Sequence, residues 1–410
     1  MDQLYSEISR SISRYNFHPL QRALYTYDVL SIPSIIRRFI KMPEVIVQPE
    51  NDSEVLNILK IAYKFKIPII PRGAATSAYG GVLPLRKSII VDFTRMKSFE
   101  VDKKKKLLIA ESGVVWWDIE KEIRKEGLSL RMYPTSAPAS TVGGWIAQNG
   151  YGIGSLKYGS IGENIEWVDV ADFGGIRRVS GDELKYYIGM CGTTGLILRA
   201  CIRLRDYKEI KSLAVDTDLK SIEDLIGDVY HACYLSEKFL KWSGIESEST
   251  LILCQEDGES NELGEIIWEN RFQQLRARKK GEIVLSEVVL PLETFIEFYK
   301  EVEKMGAGIE IQFTKDQAIF FVIFLVNDEK SYYSAVFKAL KTVKIAEKYG
   351  GRVYSSGMLF SYKSGKIYPN YDELLKFKQK VDPFNLLNPG KVFGHNAVSR
   401  IIKLAERLIV

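Results

Sequence analysis

Histidine is scarce in this chain: there are three, His18, His231 and His395, in 410 residues. A metal centre built on several imidazoles is excluded by that count. The four cysteines, Cys191, Cys201, Cys233 and Cys254, never stand in a C-x-x-C pair, which argues against an iron–sulfur or zinc site of that spacing. Scattered thiols suit a reducing compartment, so a cytoplasmic location is expected. Long apolar runs are also missing. The strongest, "AIFFVIFLV" at Ala318 to Val326, falls far short of the roughly 20 residues that span a bilayer as a helix, and it predicts a buried strand. The opening "MDQLYSEISRSISRYNF" has no apolar core of the signal-peptide type. Charge of one sign is nearly balanced: a formal net charge of +5 does not imply nucleic acid. The densest cationic run, Lys103 to Lys106, lies between two strand-like segments and reads as a solvated hairpin tip.

What the chain does have is length enough for two cores and an ordinary globular composition, 46% hydrophobic and 27% charged. Val55, Ile58, Leu59 and Ala62 fall on one helical face after Asn51, Asp52 and Ser53, and the strand "IPII" follows. The strand "SIIVDF" is expected to take "LLIAE" as its hairpin partner. Trp116, Ile119 and Ile123 then mark a second amphipathic helix stopped at Gly127. This is an α+β pattern. From about 206 to 365 a strand, a helix, two strands, a second helix and "RVYSS" follow in the order of a split βαβ unit, which reads as a cap domain. The expected divisions are 1–205, 206–365 and a returning segment 366–410.

Between "IPII" and "SIIVDF" lies "PRGAATSAYGG", Pro71 to Gly81, nearly all small residues. Successive backbone N–H groups in such a turn form a concave nest for anionic oxygens, and Thr76 and Ser77 add hydroxyl donors. A pyrophosphate fits. No G-K-[ST] follows, so this is no Walker loop, and the G-x-G-x-x-G fingerprint is absent. A second glycine-rich stretch, "YPTSAPASTVGGWIAQNGYGIGSLKYGSIGENI", and a third, "IGMCGTTGLILRACIRL", imply close approach to something flat or phosphorylated.

These segments, together with "YTYDVLS", "PEVIVQPENDSEVLNIL" and "DPFNLLNPGKVF", occur in the order seen in the FAD-binding oxidoreductases of the vanillyl-alcohol-oxidase (PCMH) type, which the chain resembles over nearly its whole length. The branch it resembles is that of the glycolate oxidase FAD subunit and D-lactate dehydrogenase. The resemblance implies a two-subdomain FAD domain with an inserted antiparallel-sheet cap. It assigns the FAD pyrophosphate to Pro71, Arg72, Gly73, Ala74, Ala75, Thr76 and Ser77, with Gly80 and Gly81 allowing close approach. A β-carbon at Gly73 is expected to hold the nest amides away and to demand a φ closed to other residues. Pro134, Ser136, Thr141, Val142, Gly143, Gly144, Gly150, Ser155, Tyr158 and Gly159 would line a second side, and Gly195 and Ile197 the adenine or ribityl end. Ala75 and Thr76 stand where relatives with covalent flavin can carry a histidine, which implies non-covalent FAD.

The implied activity is dehydrogenation of a small 2-hydroxy acid, with electrons passed to a protein, such as an iron–sulfur subunit, or to a quinone. The branch's H-x-G-D-G-N-x-H and G-E-H-G-I-G segments are absent, so no metal is expected. Lys391 and Asn388 are the candidates for binding flavin and carboxylate, and His395 for the base, if it is not simply a turn histidine. Arg271 is the cap candidate for a carboxylate, set against a solvated helix face with Arg276 and Arg278. Tyr354, Tyr362 and Lys363 could face the flavin or be core. Two other readings are an FAD-bearing electron-transfer or scaffold subunit without its own hydroxy-acid site, and an ether-lipid synthase of the same fold. Contact with a membrane is expected only through a partner. In the C-terminal "AVSRIIKLAERLIV", Val398, Ile401, Ile402, Ala405 and Leu408 make one stripe, for a partner or for this chain's own core.

Overall fold

The computed structural model describes residues 2–29, 32–272 and 274–409, and of residues 2 and 274–276 the backbone only. The side chain of Arg276, Val410 at the end of "AVSRIIKLAERLIV", and the last two residues of "YTYDVLS" lie outside the described residues. The chain forms two compact units. The first takes the described residues of Met1–Gly150, Ser160–Asp206 and Ser356–Ile402, and the second those of Tyr151–Gly159, Tyr207–Ser355 and Lys403–Val410.

Among its described residues the first unit holds two sheets. One runs in the order β1 (Tyr15–Asn16), β2 (Val45–Val47), β4 (Ile89–Asp92) and β3 (Ile69–Arg72), with β2, β4 and β3 parallel. Helix Asp52–Phe65 is the crossover between β2 and β3. Asn51 accepts the Glu54 N–H at its start, and Lys66 turns left-handed at its end. Its apolar face, Val55, Ile58, Leu59 and Ala62, is buried as the spacing requires. The other sheet runs β5 (Phe99–Asp102), β6 (Leu107–Glu111), β10 (Leu196–Asp206), β8 (Ile165–Asp172), β9 (Gly175–Ser180), with β7 (Leu128–Leu130) also on β10. The expected pairing of "SIIVDF" with "LLIAE" is wrong. Ile89, Ile90 and Val91 are buried on both faces, the signature of an interior parallel strand. "LLIAE" alternates instead, and pairs antiparallel with β5 across the exposed Lys103–Lys106 tip.

The second unit is a seven-stranded sheet in the order β11 (Ile210–Val215), β13 (Thr250–Glu256), β12 (His231–Leu235), β15 (Gly308–Phe313), β16 (Gln317–Val326), β14 (Glu282–Pro291), β17 (Arg352–Val353), every pair antiparallel. The last four strands and helices Phe295–Glu303 and Glu329–Lys348 give the split βαβ order, with "AIFFVIFLV" inside the sheet. Of the C-terminal stripe, Val398 and Ile402 are buried while Leu408 is exposed.

The tail returns to the first unit through a buried ion pair. Lys378 Nζ donates to Asp382 Oδ2, to Thr193 O at 2.7 Å and to Leu387 O at 2.9 Å. Asp382 in turn accepts the N–H groups of Leu386 and Leu387, so the segment before Asn388 is fixed against β3, where Asn388 N–H donates to Ile69 O at 2.8 Å. Asp382→Ala should lower unfolding free energy by about 3 kcal/mol or more, because it leaves the Lys378 charge buried without its partner. Urea unfolding measures this. Lys378→Met, which leaves Asp382 its two backbone donors, should cost less.

A glycine-walled cleft and the FAD-binding family

Strands β3 and β4 end side by side, with Arg72 opposite Asp92, and at these carboxyl ends of parallel strands a cleft opens within the first unit. Four stretches wall it: Pro71, Arg72 and Gly73; Gly81 and Val82; Thr141, Gly143, Gly144, Ala147 and Gln148; and Cys191, Gly192, Leu196 and Ile197, with Phe93 and Ser112 beneath. The walls touch where side chains are missing. A β-carbon on Gly73 would lie 2.1 Å from Thr141 Oγ1, one on Gly143 2.5 Å from Ser112 Oγ, and one on Gly192 2.4 Å from Pro71 Cγ. The constraint at Gly73 is therefore space. Its backbone is not left-handed, contrary to the expectation from sequence; Ala75, at φ 57°, and Gly80, at φ 68°, carry the left-handed turns of this loop.

The second wall is laid against the segment after β6. Thr141 bridges Val115, Val142 N–H donates to Val114 O and Gly143 N–H to Ser112 O, each at 2.9 Å, and Ser112 Oγ donates to Ile197 O. Two side-chain atoms of residues lining the cleft are left without a partner among the described residues. Thr141 Oγ1, against Gly73 and 3.0 Å from where a β-carbon on Gly144 would be, is buried with no hydrogen-bond partner among the described residues. Arg72 Nη1 is in the same state. A buried donor without a partner is worth about 1–3 kcal/mol of penalty, so both atoms fit an anionic, oxygen-rich ligand.

The tail closes the back. Asn388, left-handed at φ 41°, donates from Nδ2 to Gly81 O at 2.9 Å and to Cys191 O at 2.7 Å, tying two walls together. Lys391 is fully buried, and its Nζ donates to Leu83 O at 2.6 Å. Burial pulls its pKa down to about 7, with Cys191 and Asp28 acting in the opposite sense. The Cys191 thiol is pushed up to about 11 by burial, and Gln148 Nε2 donates to its Sγ at 3.6 Å.

The remaining residues singled out from sequence fall elsewhere. Ala74 to Ser77, Gly80, Pro134, Ser136, Val142 and Gly195 belong to the first unit but are not among the residues lining the cleft, and Gly150 packs its backbone under Trp145. Ser155, Tyr158 and Gly159 belong to the second unit, where Ser155 Oγ accepts Gly152 N–H at 2.9 Å. Arg271 is also there, donating to Trp268 O at 2.6 Å and stacked over Trp268 and Phe272. His395 is exposed. Tyr354 is half-buried and accepts Tyr151 N–H at 2.8 Å. Ser112, Gln148 and Cys191 were not foreseen as lining residues; the glycine beside each wall was the available signal.

Residues 43–180 match the family described as FAD binding domain, and the cleft lies largely within that span. The chain is an FAD-binding oxidoreductase. More narrowly, over most of its length it is similar to glycolate oxidase and D-lactate dehydrogenase. It is 23% identical to glycolate oxidase subunit GlcD of Bacillus subtilis over 94% of this chain and 95% of that one. To the D-lactate dehydrogenase of Archaeoglobus fulgidus it is 27% identical, over 85% and 91%. Its fold matches the crystal structure of p-cresol methylhydroxylase with a TM-score of 0.77, over 95% of this chain and 96% of that one, at 13% identity. Among the described residues no helix is long and apolar enough to cross a membrane.

Two outcomes follow. Gly73→Val should purify without FAD, read as flavin absorbance per protein, since the added carbons collide with Thr141. Second, Lys391 binds its proton less tightly folded than unfolded, about 7 against 10.5, so the unfolded chain carries more protons above pH 7 and the apo protein gains stability as pH rises. The gain is up to about 1.4 kcal/mol per pH unit. It is cleanest between 7 and 9, because above 9 the raised Cys191 thiol acts in the opposite direction. Chemical unfolding across that range should lose this slope in Lys391→Met.

Proposed function

We propose that the chain holds FAD non-covalently in this cleft and dehydrogenates a small 2-hydroxy acid, passing the electrons to a protein or quinone acceptor. The observation that carries the reading is the pair of buried, unpartnered atoms, Arg72 Nη1 and Thr141 Oγ1, between glycine surfaces. They offer a cation and a hydroxyl to the cofactor's phosphates, with the backbone of Gly73, Gly81, Gly143 and Gly192 free to approach. Bound flavin supplies a hydride acceptor. Non-covalent binding is supported by the absence of histidine and cysteine from Pro71 to Gly81, and by the state of Cys191, a buried thiol whose raised pKa keeps it from being a nucleophilic thiolate.

The names of the two long relatives support the substrate class. In this reading Lys391 is the cation offered to flavin and substrate, and Asn388 acts by joining the cleft walls. His395, exposed in the returning tail, is the candidate base. No step needs a metal, because the branch's histidine segments are missing from the sequence. A protein acceptor bearing an iron–sulfur centre would supply the cluster that this chain's cysteines do not space out for.

Anaerobic mixing of the yellow protein with D- and L-lactate and glycolate should bleach the flavin, and prior treatment with EDTA should leave that rate unchanged. Lys391→Ala should slow it. Denaturation should release all the flavin into solution. If no hydroxy acid bleaches the flavin while a reduced iron–sulfur protein does, the chain is an electron-transfer subunit instead.

A further inference from the structure

Arg72 is surrounded by an arrangement that the cofactor reading does not use. Its guanidinium carbon lies 4.9 Å from the centre of the Tyr25 ring, inside the range of a cation–π contact. Tyr25 comes from the segment that follows helix Pro19–Leu24, and it packs against Ile46, Ile70 and Ile90, side chains of β2, β3 and β4. Its hydroxyl donates to Asp92 Oδ2 at 2.6 Å. Asp92 is the residue paired with Arg72 in the β3–β4 register. That carboxylate is held on every side: Gln48 Nε2 donates to Oδ2 at 3.0 Å, and Thr94 donates to Oδ1 from its N–H at 3.0 Å and from its hydroxyl at 2.7 Å. Tyr25 is thus clamped at its oxygen and lies with its ring against a cation that has an unfilled donor.

An arginine whose fork points at an anion site must be kept from folding back onto the nearest carboxylate. Asp92 is the obvious trap, one strand away. Its lone pairs are already taken by Tyr25, Gln48 and Thr94, and no ion pair joins Arg72 to a carboxylate among the described residues. Asp28 and Asp92 still act on Arg72 through space and offset the effect of burial, which lowers its pKa. The guanidinium stays charged without being consumed.

We propose that Tyr25 is a positioning residue for the cofactor: it occupies Asp92 and stacks on Arg72, so that Arg72 keeps a free donor for an anionic phosphate of FAD. The N-terminal segment around Tyr25 is thereby a working part of the cofactor site. This rests on the reading of the cleft as the FAD site, and the test separates the two. Titrate flavin-free protein with FAD and read the dissociation constant from flavin fluorescence, with the melting temperature of each apo variant as the folding control. Tyr25→Ala should weaken FAD binding about tenfold, the loss of one cation–π contact of moderate size. Tyr25→Phe, which keeps the ring and frees Asp92 to capture Arg72, should weaken it about threefold, a typical hydrogen-bond effect. Combining Tyr25→Ala with Arg72→Ala should weaken it no further than Arg72→Ala alone, because the tyrosine acts through the arginine.

Full additivity in the double variant would mean that Tyr25 supports the fold in general, and would overturn the proposal. So would an unchanged affinity in Tyr25→Phe, the variant that decides the matter if Tyr25→Ala does not fold. A loss of affinity in Arg72→Ala with none in either Tyr25 variant leaves the cleft reading standing and removes this inference. No loss in Arg72→Ala removes both.

Discussion

The constraint on which the site depends is the closeness of three backbones around Thr141, Ser112 and Pro71. Gly73, Gly143 and Gly192 each face one of these residues at a distance where a β-carbon would overlap it by an ångström or so. Remove any one glycine and two walls must part. The walls can lie this close only because the chain gives up side chains at these points, and giving them up costs conformational entropy on folding that the rest of the unit must offset. The buried Lys378–Asp382 pair and the Asn388 amide answer that need locally. Between them they fix the tail to β3, to the Gly81 wall and to the Cys191 wall by hydrogen bonds rather than by bulk.

Much of this was legible in the sequence, for a physical reason. Glycines packed densely between apolar strands have few uses other than close backbone approach, so the two stretches around Gly73 and Gly143 announced contact with something. Helix Asp52–Phe65 was equally open to reading, because its period of apolar residues, its Asn51 cap and its burial all agree. The split βαβ order from Glu282 to Val353 followed from the alternation of strand and helix patterns.

What was illegible depended on partners far away in the chain. A run such as Ile89–Ile90–Val91 does not say whether its neighbour is parallel, and only the double-sided burial distinguishes an interior strand from a hairpin arm. At Gly73 the sequence could not separate a forbidden φ from a forbidden volume; the obstacle is the side chain of Thr141, 68 positions on by residue number. Ser112 and Cys191 offered no sign beyond the glycines next to them, Gly113 and Gly192. Their place in the cleft is set by bonds to distant segments, Ser112 N–H to Leu198 O and Cys191 N–H to Ala147 O, which no local pattern encodes.

Two cations of the first unit, half-buried Arg72 and buried Lys391, show how environment, more than residue type, decides charge. Burial is the largest effect on each and lowers the pKa of both. Arg72 has Asp92, Asp28 and the Tyr25 face around it, and its delocalised charge is cheap to desolvate, so it remains a guanidinium. Lys391 carries a compact charge and has one carbonyl, Leu83 O, as its acceptor. It falls to about 7, where protonated and neutral forms coexist in neutral solution. One cation is therefore fixed and the other adjustable. An anion brought near Lys391 draws a proton onto it, whereas the same anion beside Arg72 meets a charge already in place. The first unit thus holds a permanent positive charge at the end of β3 and a conditional one in the returning tail.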